Sequence, residues 1–219
     1  MIGANVLRLR KKPWIQDALD DYADIAFKKA NESCRGHWNK IFGNQQPIHV
    51  ELGTGRGRFL TEMAALYPEI NFVGLEAQID VLYYAAKKVR CSQVQNLRLM
   101  VFDINFIENI FADQEVARFY INFCDPWPKN RHAKRRLTHR NLLEKYRCLL
   151  PPGGQLFFKT DNEKLFEFSL NEFAGAGLKL GNITFDLHNS GFAGNVMTEY
   201  EQKFSSKGMR IFRCEAAFL

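Results

Sequence analysis

The stretch Ile48-His-Val-Glu51-Leu-Gly53-Thr-Gly55-Arg-Gly57-Arg-Phe-Leu60 decides the fold. Its first five residues are an apolar, β-rich run, and a helical pattern over 58–67 follows three glycines at alternate positions. A strand that turns through glycine straight into a helix is the first half of a parallel β-α-β unit. Reading outward, further short β-rich runs stand at 71–75, 97–102, 118–123 and 155–160, and helical patterns at 79–91, near 104–111, at 138–150 and at 164–174. The last of these is closed by Gly175 and Gly177. Strand and helix in alternation at this spacing predict an α/β fold, an open, doubly wound and mostly parallel sheet. The end of the chain differs. Runs at 179–187 and 210–218 alternate in polarity and are joined by a polar segment with one helical stretch at 199–204. They predict an antiparallel pair at the sheet edge, seven strands in all. Residues 1–40 read as a basic N-terminal arm with a lead-in helix, and 41–219 as a single domain.

Composition excludes several classes. With 219 residues, 46% of them apolar, the chain can build one sizeable core and is too apolar to be disordered. No apolar run approaches the roughly 18 residues of a membrane span, so no membrane partner is expected. Five cysteines without CxxC spacing (Cys34, Cys91, Cys124, Cys148, Cys214) argue against a disulfide framework. With no secretory pattern at the N-terminus, a cytoplasmic location is expected. The five histidines show no ligand spacing, so no metal is expected.

The net charge of +6 is unevenly spread. Eight Lys and Arg lie between Lys129 and Arg147 against one acid, Glu144, and Arg8, Arg10, Lys11 and Lys12 add four more at the N-terminus. These two segments exceed the net charge of the whole chain, so the remainder is acidic. An acidic body with two basic segments points to a polyanionic partner.

In a doubly wound sheet, ligands bind beyond the carboxyl ends of the strands. The loop Gly53, Gly55, Gly57 lets backbone approach a ligand closely. Glu76 ends the second run, where an acid can accept hydrogen bonds from ribose hydroxyls. Asp103 ends the third, within reach of an adenine amino group or, equally, as a helix cap. A ribonucleoside cofactor is expected. Glu51 at the mouth of the glycine loop would repel a pyrophosphate but suits a cation, which favours S-adenosylmethionine, with its sulfonium and ammonium, over a nicotinamide cofactor. The fourth run ends in Asn122-Phe-Cys124-Asp125-Pro126-Trp127-Pro128-Lys129, a loop stiffened by two prolines, with Arg131-His132-Ala-Lys134-Arg135-Arg136 directly after it.

These motifs, with FKTDN at 158–162 and TEYEQKF at 198–204, resemble the bacterial tRNA (guanine-N7-)-methyltransferase family over nearly the whole chain. The resemblance implies a Rossmann-like class I methyltransferase sheet and S-adenosylmethionine as methyl donor, released as S-adenosylhomocysteine. It implies tRNA as substrate, methylated at N7 of a variable-loop guanine, conventionally position 46. It also implies a homodimer. Carried over by motif, Glu51, Glu76, Asp103 and Asp125 match the cofactor acids, and Asp125 the catalytic residue. Lys129, Asp161, Thr198, Glu199, Tyr200 and Glu201 match substrate-binding positions, and Arg131, His132, Lys134, Arg135 and Arg136 the RNA-contacting stretch. Thr198 and Glu201 also have the spacing of a helix capping box. Cys124 stands where relatives carry Ser. The alternative is a tRNA-binding module with a vestigial cofactor pocket.

Overall fold

The computed structural model describes residues 14–29 and 32–219. The basic arm expected at 1–12 lies outside the described residues. The chain runs α1 (Trp14–Ala18), β1 (Ala26–Phe27), α2 (Trp38–Phe42), β2 (Ile48–Leu52), α3 (Arg58–Leu66), β3 (Asn71–Glu76), α4 (Ile79–Ser92), β4 (Leu97–Val101) and β5 (Arg118–Asn122). It continues through α5 (Arg140–Leu149), β6 (Gln155–Thr160), α6 (Glu163–Gly175), β7 (Lys179–Thr184), α7 (Glu199–Ser205) and β8 (Phe212–Ala217). Short 3-10 helices at Ile104–Asn109 and Asn130–Arg135 precede β5 and α5.

The sheet has the order β1-β4-β3-β2-β5-β6-β8-β7 among the described residues. Every residue of β2 is buried, as a central strand covered on both faces must be. On one face α3 and α4 pack Leu60, Met63, Leu82 and Val89 against Phe72, Leu97 and Tyr120 of the sheet. On the other, α2, α5 and α6 enclose Trp38, Phe119, Tyr146, Phe158 and Phe173. Gly74 in β3 permits the close approach of α3, since a Cβ there would lie 2.9 Å from Leu60 and 2.8 Å from Leu99.

The architecture agrees with the α/β expectation, with eight strands in place of seven. The additional strand, β1, pairs through only Ala26↔Leu99 and Phe27↔Met100, too short to leave a periodic signal. The late pair is antiparallel, as the alternation implied. The last strand, β8, inserts between β6 and β7, so β7 is the outer edge. A register shift between Gly181 and Thr184 bends that edge strand, a device that blunts an exposed edge.

One consequence of this order fixes the site. From β2 the chain builds outward through β3 to β4 and then returns to β5 on the other side of β2. The topological switch therefore lies between β2 and β5, and a crevice opens beyond their carboxyl ends.

Candidate active site

The glycine loop hangs on the end of β3: Gly53 and Thr54 both donate their N–H groups to the Leu75 carbonyl at 2.9 Å. Gly53 and Gly55 have φ of +83° and +57°, the left-handed region that favours glycine, and a Cβ built on either meets no atom within 4 Å. They face open space, as a loop in contact with a ligand must. Gly57 serves packing instead, because a Cβ there would fall 2.8 Å from Ala85 of α4.

Two carboxylates meet at this loop. Glu51, 2% exposed, accepts hydrogen bonds from Thr54 Oγ1 and Asn122 Nδ2, both at 2.7 Å. Burial pushes its pKa up to about 7, against the two hydrogen bonds and the charge of Lys159, which pull it down. Glu76 is braced by the N–H groups of Gly55 at 3.1 Å and Gln78 at 3.0 Å, and burial raises its pKa too. A buried and a half-buried carboxylate beside a glycine loop, both with pKa values raised by burial, fit a ligand that brings cationic groups and hydroxyl donors. Asp103 is exposed and caps the 3-10 helix after β4, accepting from Asn105 N at 3.0 Å and Asn105 Nδ2 at 2.8 Å, both through Oδ1.

On the other side of the switch point, the loop after β5 carries Asp125 and Lys129, both exposed. Its conformation is strained: Phe123 and Trp127 have φ of 55° and 41°. Bulky residues tolerate this region only where their surroundings impose it, and such strain concentrates at functional sites. Here the imposing residue is Arg136. Its Nε donates to the Pro126 carbonyl and its Nη2 to the Trp127 carbonyl, each at 3.0 Å. The Arg135 guanidinium lies 4.9 Å from the Trp127 ring centroid, and His132 meets the same ring edge-on. Trp127 is thus packed by its own basic segment. Of the basic residues between 129 and 147, Arg140 is bound to Glu172 and Lys145 to Glu108. Arg131, Lys134 and Arg135 stand exposed beside Lys129. Cys124 is half-buried, and burial with the nearby Asp125 pushes its thiol up to about 12, which does not suit a nucleophile.

The segment TEYE forms the start of α7, and this helix straps the crevice. Thr198 caps it, accepting from Glu201 N at 2.9 Å, as the capping-box spacing implied. Glu199 pairs with Lys88 of α4 and Gln202 accepts from Arg58 of α3. Tyr200 donates to Asp161 at 3.2 Å and its ring packs 5.1 Å from that of Phe123. The three carried-over motifs, 122–129, 158–162 and 198–201, therefore converge. Glu201 turns away from the crevice. It is fully buried and bound by Lys159 Nζ at 2.8 Å, Asn195 Nδ2 at 2.6 Å and His188 Nε2 at 3.3 Å. This arrangement suits a clasp that seats α7 rather than a direct contact to a base. Sequence reasoning missed Asn122, Thr54, Lys159 and the bracing role of Arg136. A lysine in the interior of a strand, in register with Asn122, was the available signal for one of them.

Comparison with known proteins agrees with this geometry. Residues 45–214 match the family described as "Putative methyltransferase". The chain is 48% identical over 212 residues to the tRNA (guanine-N(7)-)-methyltransferase of Halalkalibacterium halodurans, covering 97% of this chain and 96% of that one. It is 47% identical over 209 residues to the enzyme of the same name from Bacillus subtilis, covering 95% and 98%. Among solved structures it is similar to a SAM-dependent methyltransferase from Aquifex aeolicus, with a TM-score of 0.56, 15% identity and coverage of 96% and 100%. It is likewise similar to the 16S rRNA methyltransferase KamB, with a TM-score of 0.63, 14% identity and coverage of 89% and 98%.

Proposed function

The chain belongs to the tRNA (guanine-N(7)-)-methyltransferase family, and from that premise we infer how its crevice methylates guanine N7 in tRNA. The observation that carries the reading is the position of the Glu51–Glu76 pair and the Asp125–Lys129 loop on opposite sides of one topological switch point. S-adenosylmethionine, when bound, supplies the methyl group and leaves as S-adenosylhomocysteine. Glu76 would hold the ribose hydroxyls and Asp103 the adenine amino group, while Glu51, Gly53 and Gly55 receive the methionine end.

Guanine N7 has an in-plane lone pair and is unprotonated at neutral pH, so no residue has to act as base to create the nucleophile. The work left to the protein is alignment and electrostatics. Positive charge moves onto the purine ring during transfer. Asp125 at the head of the rigid loop would stabilise it and accept from the guanine N1 and N2 donors. Lys129 would meet a phosphate or a base oxygen, and Asp161 with Tyr200 would border the guanine. The target we propose is the variable-loop guanine at position 46, in a cytoplasmic enzyme that works as a homodimer. Sedimentation equilibrium tests the last point.

Two measurements test the assignments. Between pH 4.5 and about 7 the folded chain keeps a proton on Glu51 that the unfolded chain has lost, so this group's contribution to stability falls as pH rises through that window. A bound cation reverses the trend. The rise in Tm on adding S-adenosylmethionine is therefore expected to grow between roughly pH 5.5 and 7.5, and to grow less in Glu51→Gln. An equal gain at both pH values in the wild type would remove Glu51 from the cofactor site.

The second concerns the basic segment. Charge reversal at Arg131, Lys134 and Arg135 should lower the slope of log K for tRNA against log salt by about 0.7–0.9 per lost phosphate contact. Arg136→Gln should leave that slope unchanged and reduce turnover instead, since it loosens the Pro126–Trp127 carbonyls. A slope unaffected by the triple reversal would make the segment a solvated surface only.

A further inference from the structure

The apolar strand β5 ends on a buried amide, Asn122, which is 8% exposed. Glu51 on β2 stands in register with Tyr120 of β5, and Asn122, two residues further on, lies on the same face of the sheet as Tyr120. Its Nδ2 donates across the switch point to Glu51 Oε1 at 2.7 Å. The other oxygen, Oε2, accepts from Thr54 Oγ1 at 2.7 Å. Thr54 is a neighbour of Glu51 on the same loop, whereas Asn122 reaches it from the strand that carries the guanine loop.

Both donors are neutral. Two charged groups also act on Glu51: Lys159 on β6 favours its ionised form and Glu199 on α7 opposes it. Neither is bonded to it. Lys159 Nζ is engaged by Asn195, the Val196 carbonyl and Glu201, and Glu199 pairs with Lys88. A neutral donor orients a carboxylate without cancelling its charge, as an arginine or lysine would. An ionised carboxylate has about four lone-pair sites, so with one donor on each oxygen it keeps acceptors for a cation.

The amide itself is held by the sheet. Asn122 pairs in register with Lys159, and the next N–H, that of Phe123, donates to the Lys159 carbonyl at 2.9 Å. An apolar residue at this strand end would leave Glu51 Oε1 buried without its donor, and the acid would keep its proton instead.

We propose that Asn122 is a positioning residue of the cofactor site: its amide holds the Glu51 carboxylate across the switch point, so that the cationic end of S-adenosylmethionine meets an acid already oriented. The inference rests on the reading of Glu51 as a cofactor acid, and it adds to that site a residue from the guanine side of the crevice.

The test measures the Kd of S-adenosylmethionine by calorimetry at roughly pH 6 and pH 8, for the full chain and for two variants, Asn122→Leu, which keeps the volume, and Asn122→Ala. Losing a hydrogen bond to the charged form should raise the pKa of Glu51 above its value of about 7 by about one pH unit or more. At the lower pH the ligand must then displace a more firmly held proton, and at the higher pH that penalty is largely gone. Both variants should therefore bind about tenfold more weakly than wild type at the lower pH and within about threefold of it at the higher. The ammonium of the ligand titrates alike in every arm and cancels from these ratios. Glu51→Gln should show the opposite trend, a deficit that grows with pH, and adding Asn122→Leu to it should change Kd by less than about twofold. If the Asn122 variants show no deficit, or an equal one at both pH values, while Glu51→Gln behaves as expected, the proposal is overturned and the cofactor reading stands. Wild-type affinity in Glu51→Gln at the higher pH overturns that reading and the proposal with it.

Discussion

Asp125→Ala should lower single-turnover methylation of tRNA, at saturating cofactor, by roughly ten- to a hundredfold. That range corresponds to the 1.5–3 kcal/mol or so of one hydrogen bond to a charged group. Asp125 is exposed at the head of a loop held by Arg136 and two prolines, so removing its side chain leaves the scaffold intact. The loss should therefore appear in the rate and not in the melting temperature. Asp125→Asn keeps the shape and one acceptor oxygen but loses the charge that would face the developing positive ring. It should fall between wild type and Asp125→Ala. If both variants turn over at the wild-type rate, the loop positions the guanine without any contribution from this carboxylate.

The largest expected effect on stability is at Glu201. Lys159 and Glu201 form an ion pair with side-chain exposures of 7% and 0%. Removing one partner of such a pair strands a buried charge and typically costs about 3–5 kcal/mol. At roughly 2–4 °C per kcal/mol for a domain of this size, Glu201→Ala should lower Tm by about 10 °C. Burial already holds Lys159 below the ordinary lysine range, with Glu201 pulling it back up. Without Glu201, the folded chain binds fewer protons at Lys159 than the unfolded chain does, so the deficit should shrink as pH rises toward the unfolded lysine value. The double variant Lys159→Met with Glu201→Leu replaces the pair by apolar groups and should recover much of the loss. Thermal melts of the three proteins at two pH values decide it. Equal Tm for Glu201→Ala and wild type would mean the clasp does not seat α7.

Much of this arrangement was legible in the sequence because its signals are local. The glycine loop, Glu76 and Asp103 each sit at the end of a run whose strand character can be read from its own residues, and the rule that ligands gather at strand ends did the rest. The 122–129 loop announced itself by its prolines. What escaped depends on contacts across long sequence separations. β1 owes its existence to pairing with β4, not to its two residues. Arg136 looks like one more cation in a basic run, and only folding turns it back onto Pro126 and Trp127. The helix expected at 138–150 begins at Arg140 because the His139 ring accepts the Asn141 N–H and stops the turn before it. Glu201 and Asp161 look alike as acids in carried-over motifs. The fold buries one against Lys159 and leaves the other at the crevice beside Tyr200.

The net charge of +6 likewise conceals its parts. The basic segment after the loop divides into Arg136, which braces the Pro126 and Trp127 carbonyls, Arg135, which lies on the Trp127 ring, and Arg131 and Lys134, which stand exposed. Opposed to them stand the acids of the crevice, Glu51 foremost, whose pKa burial raises to about 7.

The most direct test of the account is to methylate tRNA transcripts with S-adenosylmethionine labelled on its methyl group and to map the label. One labelled nucleoside is expected, N7-methylguanosine, confined to the variable loop and abolished when the guanine at position 46 is replaced. Label on another atom of guanine, on another base, or elsewhere in the tRNA would contradict it.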